Sequence, residues 1–217
     1  MKKFFCLLFV ISATISCSPV IHKAQEFDNR TASHKIVAIL PADVNISLRT
    51  NELKNTSVEQ FRQAEKNASL NLQDKLYEWF LKRSERFKYT VGFQDIQKTN
   101  ELLVKNGLSY RELRYKHKDQ LAKLLGVDAV ITLKAIYTKP TRDISAVDFN
   151  TWSSNLLYNN EMHASISINE AIQGDLVWKY DYNTKGILAS NKENLINAMM
   201  DKASKKFPYN DREVISK

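Results

Sequence analysis

Two alternating segments near the carboxyl end constrain the fold more than any other feature of this 217-residue chain. From Met162 to Asn169 apolar and polar side chains alternate, and Leu176 to Asn183 repeat the pattern with mostly polar residues between the apolar ones. A period of two is typical of a β-strand with one buried and one solvated face. The tripeptide Gln173–Asp175 between the segments has the composition of a tight turn. The sequence therefore predicts an antiparallel hairpin with one wet face.

Strand-like and helix-like patterns alternate upstream of this hairpin. The continuous apolar run Ile36–Leu40 is typical of a strand covered on both faces. Apolar residues at three- and four-residue spacing predict a long helix from Ser57 to Ser84. The remaining predicted elements are a strand over 89–93, helices over 94–106 and 119–125, a strand over 127–137 and a last helix over 192–206.

This order predicts an α/β fold, an α+β sandwich with a mixed sheet of about five strands and helices packed on it. Helices connect the first strands, which favours parallel pairing there. A C-terminal antiparallel hairpin and then a helix complete the predicted fold.

The amino terminus has the layout of an export signal. Lys2 and Lys3 precede an apolar stretch of about ten residues, which is long enough for a signal peptide and too short to span a bilayer. Small residues then lead into Cys17. This layout resembles the lipobox of bacterial lipoproteins, although Thr14 stands where Leu is usual. The resemblance implies that Cys17 is acylated and that the chain is cut before it. An ordinary signal peptide cut nearby is the first alternative, and an uncleaved anchor is the second.

The lipobox sets the predicted domain layout. Residues 1–16 form the signal peptide, 17–33 a lipidated flexible tether, 34–210 a single periplasmic domain and 211–217 a polar tail. In enteric lipoproteins, Asp after the lipidated cysteine retains the protein in the inner membrane. Because Ser18 stands there, the resemblance implies a lipid anchor in the outer membrane, and we expect the domain on its periplasmic face.

Cysteine content and charge agree with an exported protein. Cys6 lies in the predicted signal peptide and Cys17 would carry lipid, so the mature chain would have no disulfide and no thiolate metal site. The formal charge of +8 favours anionic headgroups or an acidic partner surface. Nucleic acid is not an expected partner for a protein of the envelope.

The sequence shows no recognisable catalytic pattern. It has no Gly-rich phosphate loop and no nucleophile elbow. Glu161 and His163 share one strand face and could supply half of a metal site at most. The histidines are scattered, at His22, His34, His117 and His163. We therefore expect no cofactor, no metal and no enzymatic activity.

An irregular segment separates the predicted strand over 127–137 from the hairpin. It contains large side chains without clean periodicity: Phe149, Trp152, Leu156 and Tyr158. Such residues either pack over a sheet edge or form an exposed docking patch for a partner. The segment is too short and too polar for two membrane-spanning strands of about ten residues each, which argues against a pore.

Four short motifs resemble a family of envelope lipoproteins that includes the curli-secretion (CsgG-like) proteins and the lipoprotein activators of penicillin-binding proteins. The motifs are Lys35–Pro41, Leu124–Ile131, Asn169–Trp178 and Lys206–Tyr209. The resemblance implies a periplasmic domain without cofactor or catalytic residues, which docks onto another envelope protein or onto copies of itself.

The predicted function is therefore a non-enzymatic accessory or assembly factor of the envelope that acts through protein–protein contacts. The alternative is a periplasmic carrier of lipid or another small ligand, with an apolar pocket between the sheet and the long helix. A hydrolase ranks third, because no nucleophile and base can be paired by motif.

Overall fold

The computed structural model describes residues 21–46, 57–138, 161–185 and 192–210. Its strands are β1 (Ile21–Lys23), β2 (Ile36–Ile39), β3 (Asp43–Ile46), β4 (Gly92–Phe93), β5 (Ala129–Thr138), β6 (Glu161–Glu170) and β7 (Leu176–Lys185). Its helices are α1 (Phe27–Thr31), α2 (Val58–Phe87), α3 (Ile96–Lys105), α4 (Lys118–Leu125) and α5 (Lys192–Ala203), with short 3₁₀ helices at Glu112–Arg114 and Ser204–Lys206.

All seven strands belong to one mixed sheet. The order across the sheet is β1-β7-β6-β5-β2-β4, and β3 pairs with the second half of β5. β2 and β3 run parallel to β5, and β4 runs parallel to β2. β5, β6, β7 and β1 are antiparallel to one another. The predicted α/β fold with a mixed sheet is confirmed, and its parallel and antiparallel halves meet at β5.

The long helix α2 begins and ends where its local sequence dictates. Ser57 and Gln60 form a reciprocal capping box at its start. Lys88 adopts a left-handed conformation after its end and donates its N–H to the carbonyl of Ser84. The apolar part of the buried face of α2 packs on the sheet and consists of Ala68, Leu72, Leu76, Trp79 and Phe80.

Two apolar clusters cover the sheet from opposite sides. The larger one joins α2, α5 and one face of β2, β5, β6 and β7. The smaller one joins α3, α4 and the opposite face of β2 and early β5. Val37 and Ile39 belong to the larger cluster, whereas Ala38 and Leu40 belong to the smaller one. The continuous apolar run in β2 thus reflects burial on both faces, as predicted.

Strand β3 is not among the elements predicted from the sequence. Leu40 still donates its N–H to Ile131 of β5 at 2.9 Å, but the following Pro41 has no N–H to donate. Ser69 of α2 bridges the break, because its hydroxyl donates to the carbonyl of Ala42 at 2.6 Å and its carbonyl accepts the N–H of Ala42. The chain then rejoins β5 as β3.

The hairpin of β6 and β7 differs from its prediction at one point. The register shifts between Ile168 and Asn169, so that one residue of β7 is unpaired. As a result Val177 is buried and Leu176 is partly exposed, the reverse of the predicted sides. From Trp178 onward the predicted alternation is confirmed.

The flexible tether predicted over 17–33 is wrong from residue 21 onward. Ile21–Lys23 pair with β7 as strand β1, and Phe27–Thr31 form helix α1. Phe27 is buried in the larger apolar cluster. Residues 21–31 therefore belong to the folded domain, which includes residues well before position 34.

Candidate interaction surfaces

The site residues named from the sequence lie outside the residues that the structure describes. Cys17 precedes the described part of the chain, and Phe149, Trp152, Leu156 and Tyr158 lie in the connection between β5 and β6. Both assignments stay predictions. The structure does describe the positions from which these segments depart, which are Ile21 for the amino terminus and the paired residues Thr138 and Glu161 for the connection.

One face of the antiparallel half of the sheet carries mostly polar side chains, and we call it the polar face. Alternate residues of a strand point to opposite sides of the sheet. On β5, β6 and β7 the residues that point away from the larger cluster are Thr132, Lys134, Ile136, His163, Ser165, Ser167, Lys179, Asp181 and Asn183. Lys134, His163 and Asn183 are exposed. The hairpin's wet face is therefore confirmed.

Strand register arranges the polar face in rows. Lys134, Ser165 and Asp181 lie side by side across the three strands. The two central residues of β6 on this face are Ser165 and Ser167. Because serine side chains are short, β6 forms a low strip between the longer side chains of β5 and β7. This strip offers hydroxyl groups along a shallow trough.

Hydrogen bonds hold the β7 side of the polar face. The Nζ of Lys179 lies 2.7 Å from Oδ1 of Asp181, and the Nδ1 of His163 lies 2.7 Å from Oδ1 of Asn183. His163, which could have supplied half of a metal site, is thus engaged with an amide.

A charged group borders the polar face at β3. Arg114 forms an ion pair with Asp43 at 2.8 Å, and Asp43 lies beside Lys134 in the sheet. Burial lowers the pKa of the nearby Lys118, although the charge of Asp43 opposes that shift. The Nζ of Lys118 donates to the carbonyl of Leu113 at 2.7 Å. This border is fixed by contacts within the domain.

The opposite boundary of the sheet is the β1 edge, which we define as β1 with its partners Trp178–Tyr180. Ile21 pairs with Tyr180 and Lys23 with Trp178. Just beyond, the N–H of Ala24 donates to the carbonyl of Val177 at 2.9 Å. Residues 21–24 therefore run along β7.

Helix α1 locks this entry to the rest of the domain. Arg30 donates to the buried carboxylate of Glu170, and its guanidinium also lies 2.8 Å from Asp175. These hydrogen bonds raise the pKa of Arg30. The ring of Phe27 packs against that of Tyr209, with 6.2 Å between centroids. Residues 21–31 are thereby part of the domain's packing.

A buried polar pair lies behind α1. The Nδ1 of His34 is 2.7 Å from the hydroxyl of Tyr209, and both side chains are buried. Burial lowers the pKa of His34, while the charges of Asp128 and Glu170 oppose the shift. Burial also raises the pKa of Tyr209. The pair joins the segment that enters the sheet to the segment that follows α5.

In the part of the chain that the structure describes, no cluster of three or more His, Cys, Asp and Glu side chains is arranged to hold a metal ion. None of the helices in that part combines the length and the apolar character that crossing a bilayer requires.

A small cavity lies between α2 and α5. Its volume is about 20 Å³, and Lys75, Glu78, Trp79 and Ile196 are among its lining residues. A cavity of this size holds about one water molecule.

Comparisons with known proteins find only weak structural similarity to solved structures. No protein-family model and no curated protein matches this chain. Among solved structures, the lipoprotein GNA1162 from Neisseria meningitidis is 9% identical, with a TM-score of 0.46 over 79% of this chain and 94% of that one. A variant PelC dodecamer from Paraburkholderia phytofirmans is 10% identical, with a TM-score of 0.41 over 89% and 99% of the two chains.

The C-terminal domain of LpoB from Salmonella enterica is a third similar structure. It is 12% identical, with a TM-score of 0.33 over 70% of this chain and 82% of that one. At TM-scores below 0.5 these similarities assign neither a family nor a function to this chain. Membership of the CsgG-like family stays a prediction, and the proposals below rest on the chain's own residues.

Proposed function

We propose that this chain is a lipid-anchored protein on the periplasmic face of the bacterial outer membrane, and that it acts as a non-enzymatic accessory or assembly factor by binding a protein partner. The observation that carries the proposal is the polar face. Its low serine strip on β6 lies between β5 and β7, which carry side chains that can form hydrogen bonds with a partner. The lipobox at Cys17 supports the anchor.

The polar face lies close to the two described residues that flank the segment predicted to dock. The connection of residues 139–160 leaves the sheet at Thr138 and returns at Glu161, two residues beyond Ile136 and His163 of the polar face. Protein interfaces combine an apolar centre with a polar rim. In the proposed interface, Phe149, Trp152, Leu156 and Tyr158 supply the apolar centre and the polar face supplies the hydrogen-bonding rim.

Site-specific crosslinking in cells tests this interface. A photoreactive residue replaces Ser165 on the polar face in one strain and Val104, an exposed residue of α3, in another. We expect the probe at position 165 to capture one envelope protein that the probe at 104 does not capture. Equal capture at both positions would remove the polar face from the proposal, and capture of the chain's own copies alone would replace the accessory role by self-assembly.

A second experiment tests the apolar centre. The double substitution Trp152→Ala with Leu156→Ala is expected to abolish partner capture while circular dichroism stays unchanged. Tyr115→Ala is the matched control, because Tyr115 is also an aromatic residue and is 81% exposed. Unchanged capture by the double variant would exclude docking through this segment.

The alternative, a carrier of lipid or a small ligand, needs a pocket of several hundred Å³. The cavity between α2 and α5, at about 20 Å³, does not support it. Native mass spectrometry of the purified domain distinguishes the two functions. A measured mass equal to that of the domain alone agrees with the accessory role, whereas a mass increased by one bound lipid would favour the carrier.

A further inference from the structure

The distance between the anchor and the folded domain is short. Only Ser18, Pro19 and Val20 separate Cys17 from Ile21, the first residue of β1. Since an extended chain spans at most about 3.5 Å per residue, the two Cα atoms can be no more than about 14 Å apart. If Cys17 carries lipid, as the proposed function states, β1 lies close to the membrane surface.

The entry segment cannot lengthen this link without partial unfolding. β1 is paired with β7, and the N–H of Ala24 donates to Val177. Phe27 is buried against Tyr209, and Arg30 is held by Glu170 and Asp175. Releasing residues 21–31 would break all of these contacts, so the anchor acts on the β1 edge itself.

One exposed lysine lies beside this edge, and two more follow it in the chain. The Nζ of Lys202 is 5.6 Å from the ring of Tyr182, two residues along β7 from the partner of Ile21. Lys205 and Lys206 follow on the next turn, and the adjacent Phe207 packs against Trp178 of the β1 edge at 5.6 Å. All three lysines are exposed.

The other charges near this edge are largely paired. Lys23 forms an ion pair with Asp28 at 3.2 Å, and Asp201 forms one with Arg83 at 3.6 Å. Glu26 is exposed. Among the described residues, no carboxylate forms an ion pair with Lys202, Lys205 or Lys206.

We propose that the domain lies edge-on at the membrane, with the β1 edge towards the headgroups and with Lys202, Lys205 and Lys206 in contact with anionic phospholipid. Basic residues close to an anionic membrane surface are attracted to it. The opposite edge, β4, lies five strand spacings away, which is about 24 Å. The orientation leaves the polar face roughly perpendicular to the membrane and accessible to a partner.

Energy transfer on the full lipidated protein tests the orientation. One variant carries a fluorophore at His22→Cys in β1 and another at Lys105→Cys at the end of α3. Each is reconstituted in phosphatidylcholine vesicles with one-third phosphatidylglycerol and headgroup-labelled acceptor lipid. We expect strong transfer from position 22 and weak transfer from 105. Equal transfer from both positions would overturn the proposal.

The wild-type protein separates this outcome from failure of the anchor. Its only cysteines are Cys6, in the predicted signal peptide, and Cys17. If Cys17 is acylated, the mature protein takes up no thiol label and stays with the vesicles. Labelling of the wild type would overturn the lipid anchor, and with it the orientation that depends on the anchor.

A charge reversal tests the lysines. The variant Lys202→Glu, Lys205→Glu and Lys206→Glu is compared with Lys98→Glu, Lys105→Glu and Lys116→Glu, which makes the same change in net charge on exposed residues elsewhere. The fluorophore at position 22 is used in both. We expect phosphatidylglycerol to increase transfer in the wild type and in the control, but not in the first variant. Equal loss in both variants would exclude a specific contact.

A spacer tests the short link. A Gly-Ser insert of about ten residues between Val20 and Ile21 adds about 18 Å of root-mean-square length. In vesicles of phosphatidylcholine alone, we expect the insert to reduce the difference in transfer between positions 22 and 105. A difference that the insert leaves unchanged would contradict control of orientation by the link.

Discussion

Asp128 fastens the beginning of β2 to the beginning of β5. Its Oδ2 accepts the N–H of Lys35 at 2.7 Å and the N–H of Ile36 at 2.9 Å. Burial is the largest single influence and opposes ionisation of this carboxyl, but the two backbone hydrogen bonds together with the charges of His34 and Lys35 hold its pKa below the ordinary value. The chain reaches Asp128 through Gly126, whose φ of 67° ends α4 in the left-handed conformation.

Replacing Asp128 tests this attachment. Asp128→Ala leaves the N–H groups of Lys35 and Ile36 without their acceptor, and we expect it to cost about 1–3 kcal/mol of unfolding free energy, since hydrogen bonds to a charged group are involved. Asp128→Asn keeps an acceptor oxygen and should cost less. Urea denaturation at neutral pH measures both variants. An equal loss of unfolding free energy in both variants would show that the acceptor oxygen does not account for the stabilisation.

His34 makes stability depend on pH. Because burial lowers its pKa in the folded state, the unfolded chain binds a proton at higher pH than the folded chain does. Stability is therefore complete above the unfolded pKa of about 6.5 and falls as the pH drops below it.

The variant His34→Gln has no titratable group at this position and isolates its contribution. We expect the wild type to lose more unfolding free energy than the variant does between pH 7 and mildly acidic pH, measured by urea denaturation. Parallel pH profiles would contradict this assignment.

Single residues differed in how well the sequence could predict them. Gly126 ends a helix and Trp178 lies in the core, and both positions follow from local patterns: a glycine after a helical segment and an apolar residue in an alternating strand. The sequence pattern predicts that Phe27 belongs to the tether, since it is an isolated large apolar residue in a polar stretch with no periodicity. Its partner Tyr209 is distant in sequence, so only the tertiary structure brings the two rings together.

At the scale of elements, the entry segment of β1 and α1 stabilises the domain. The buried ring of Phe27 lies in the larger apolar cluster. We expect Phe27→Ala to lower the unfolding free energy by about 3–5 kcal/mol. The exposed variant Val104→Ala is the control and should change little.

Hydrogen exchange adds a local readout of the same segment. The amide of Ala24 should be protected in the wild type by its bond to Val177 and exchange faster in Phe27→Ala. Rapid exchange at Ala24 in the wild type would restore the flexible tether that the sequence predicted.

Strands β2 and β3 show what pattern alone could and could not predict. Five consecutive apolar residues identified β2, because burial on both faces leaves a strong signal. β3 is a strand of four residues after Pro41, and its apolar residues Val44 and Ile46 are too few to establish a period. Its position depends on the bridge from Ser69, a contact between distant parts of the sequence.

At the scale of the whole molecule, the two candidate surfaces belong to one sheet: one is its β1 edge and the other is its polar face. The β1 edge lies nearest the predicted anchor, and the polar face extends from it towards β5. The sequence predicted the wet face of the hairpin from its alternation. It could not predict that β1 would form the edge, because strand pairing between residues 21–23 and 178–180 is not visible in local patterns.

The two apolar clusters are expected to unfold as one unit, because consecutive residues of β2 belong to opposite clusters and loss of either cluster would expose the same strand. Leu72→Ala disrupts the larger cluster and Leu121→Ala the smaller, and both side chains are buried. Each variant should lose about 2–5 kcal/mol. In urea, each should shift the midpoint without changing the slope, and fluorescence and circular dichroism should give coincident transitions. An earlier separate transition in Leu121→Ala alone would mean that α3 and α4 unfold independently of the sheet.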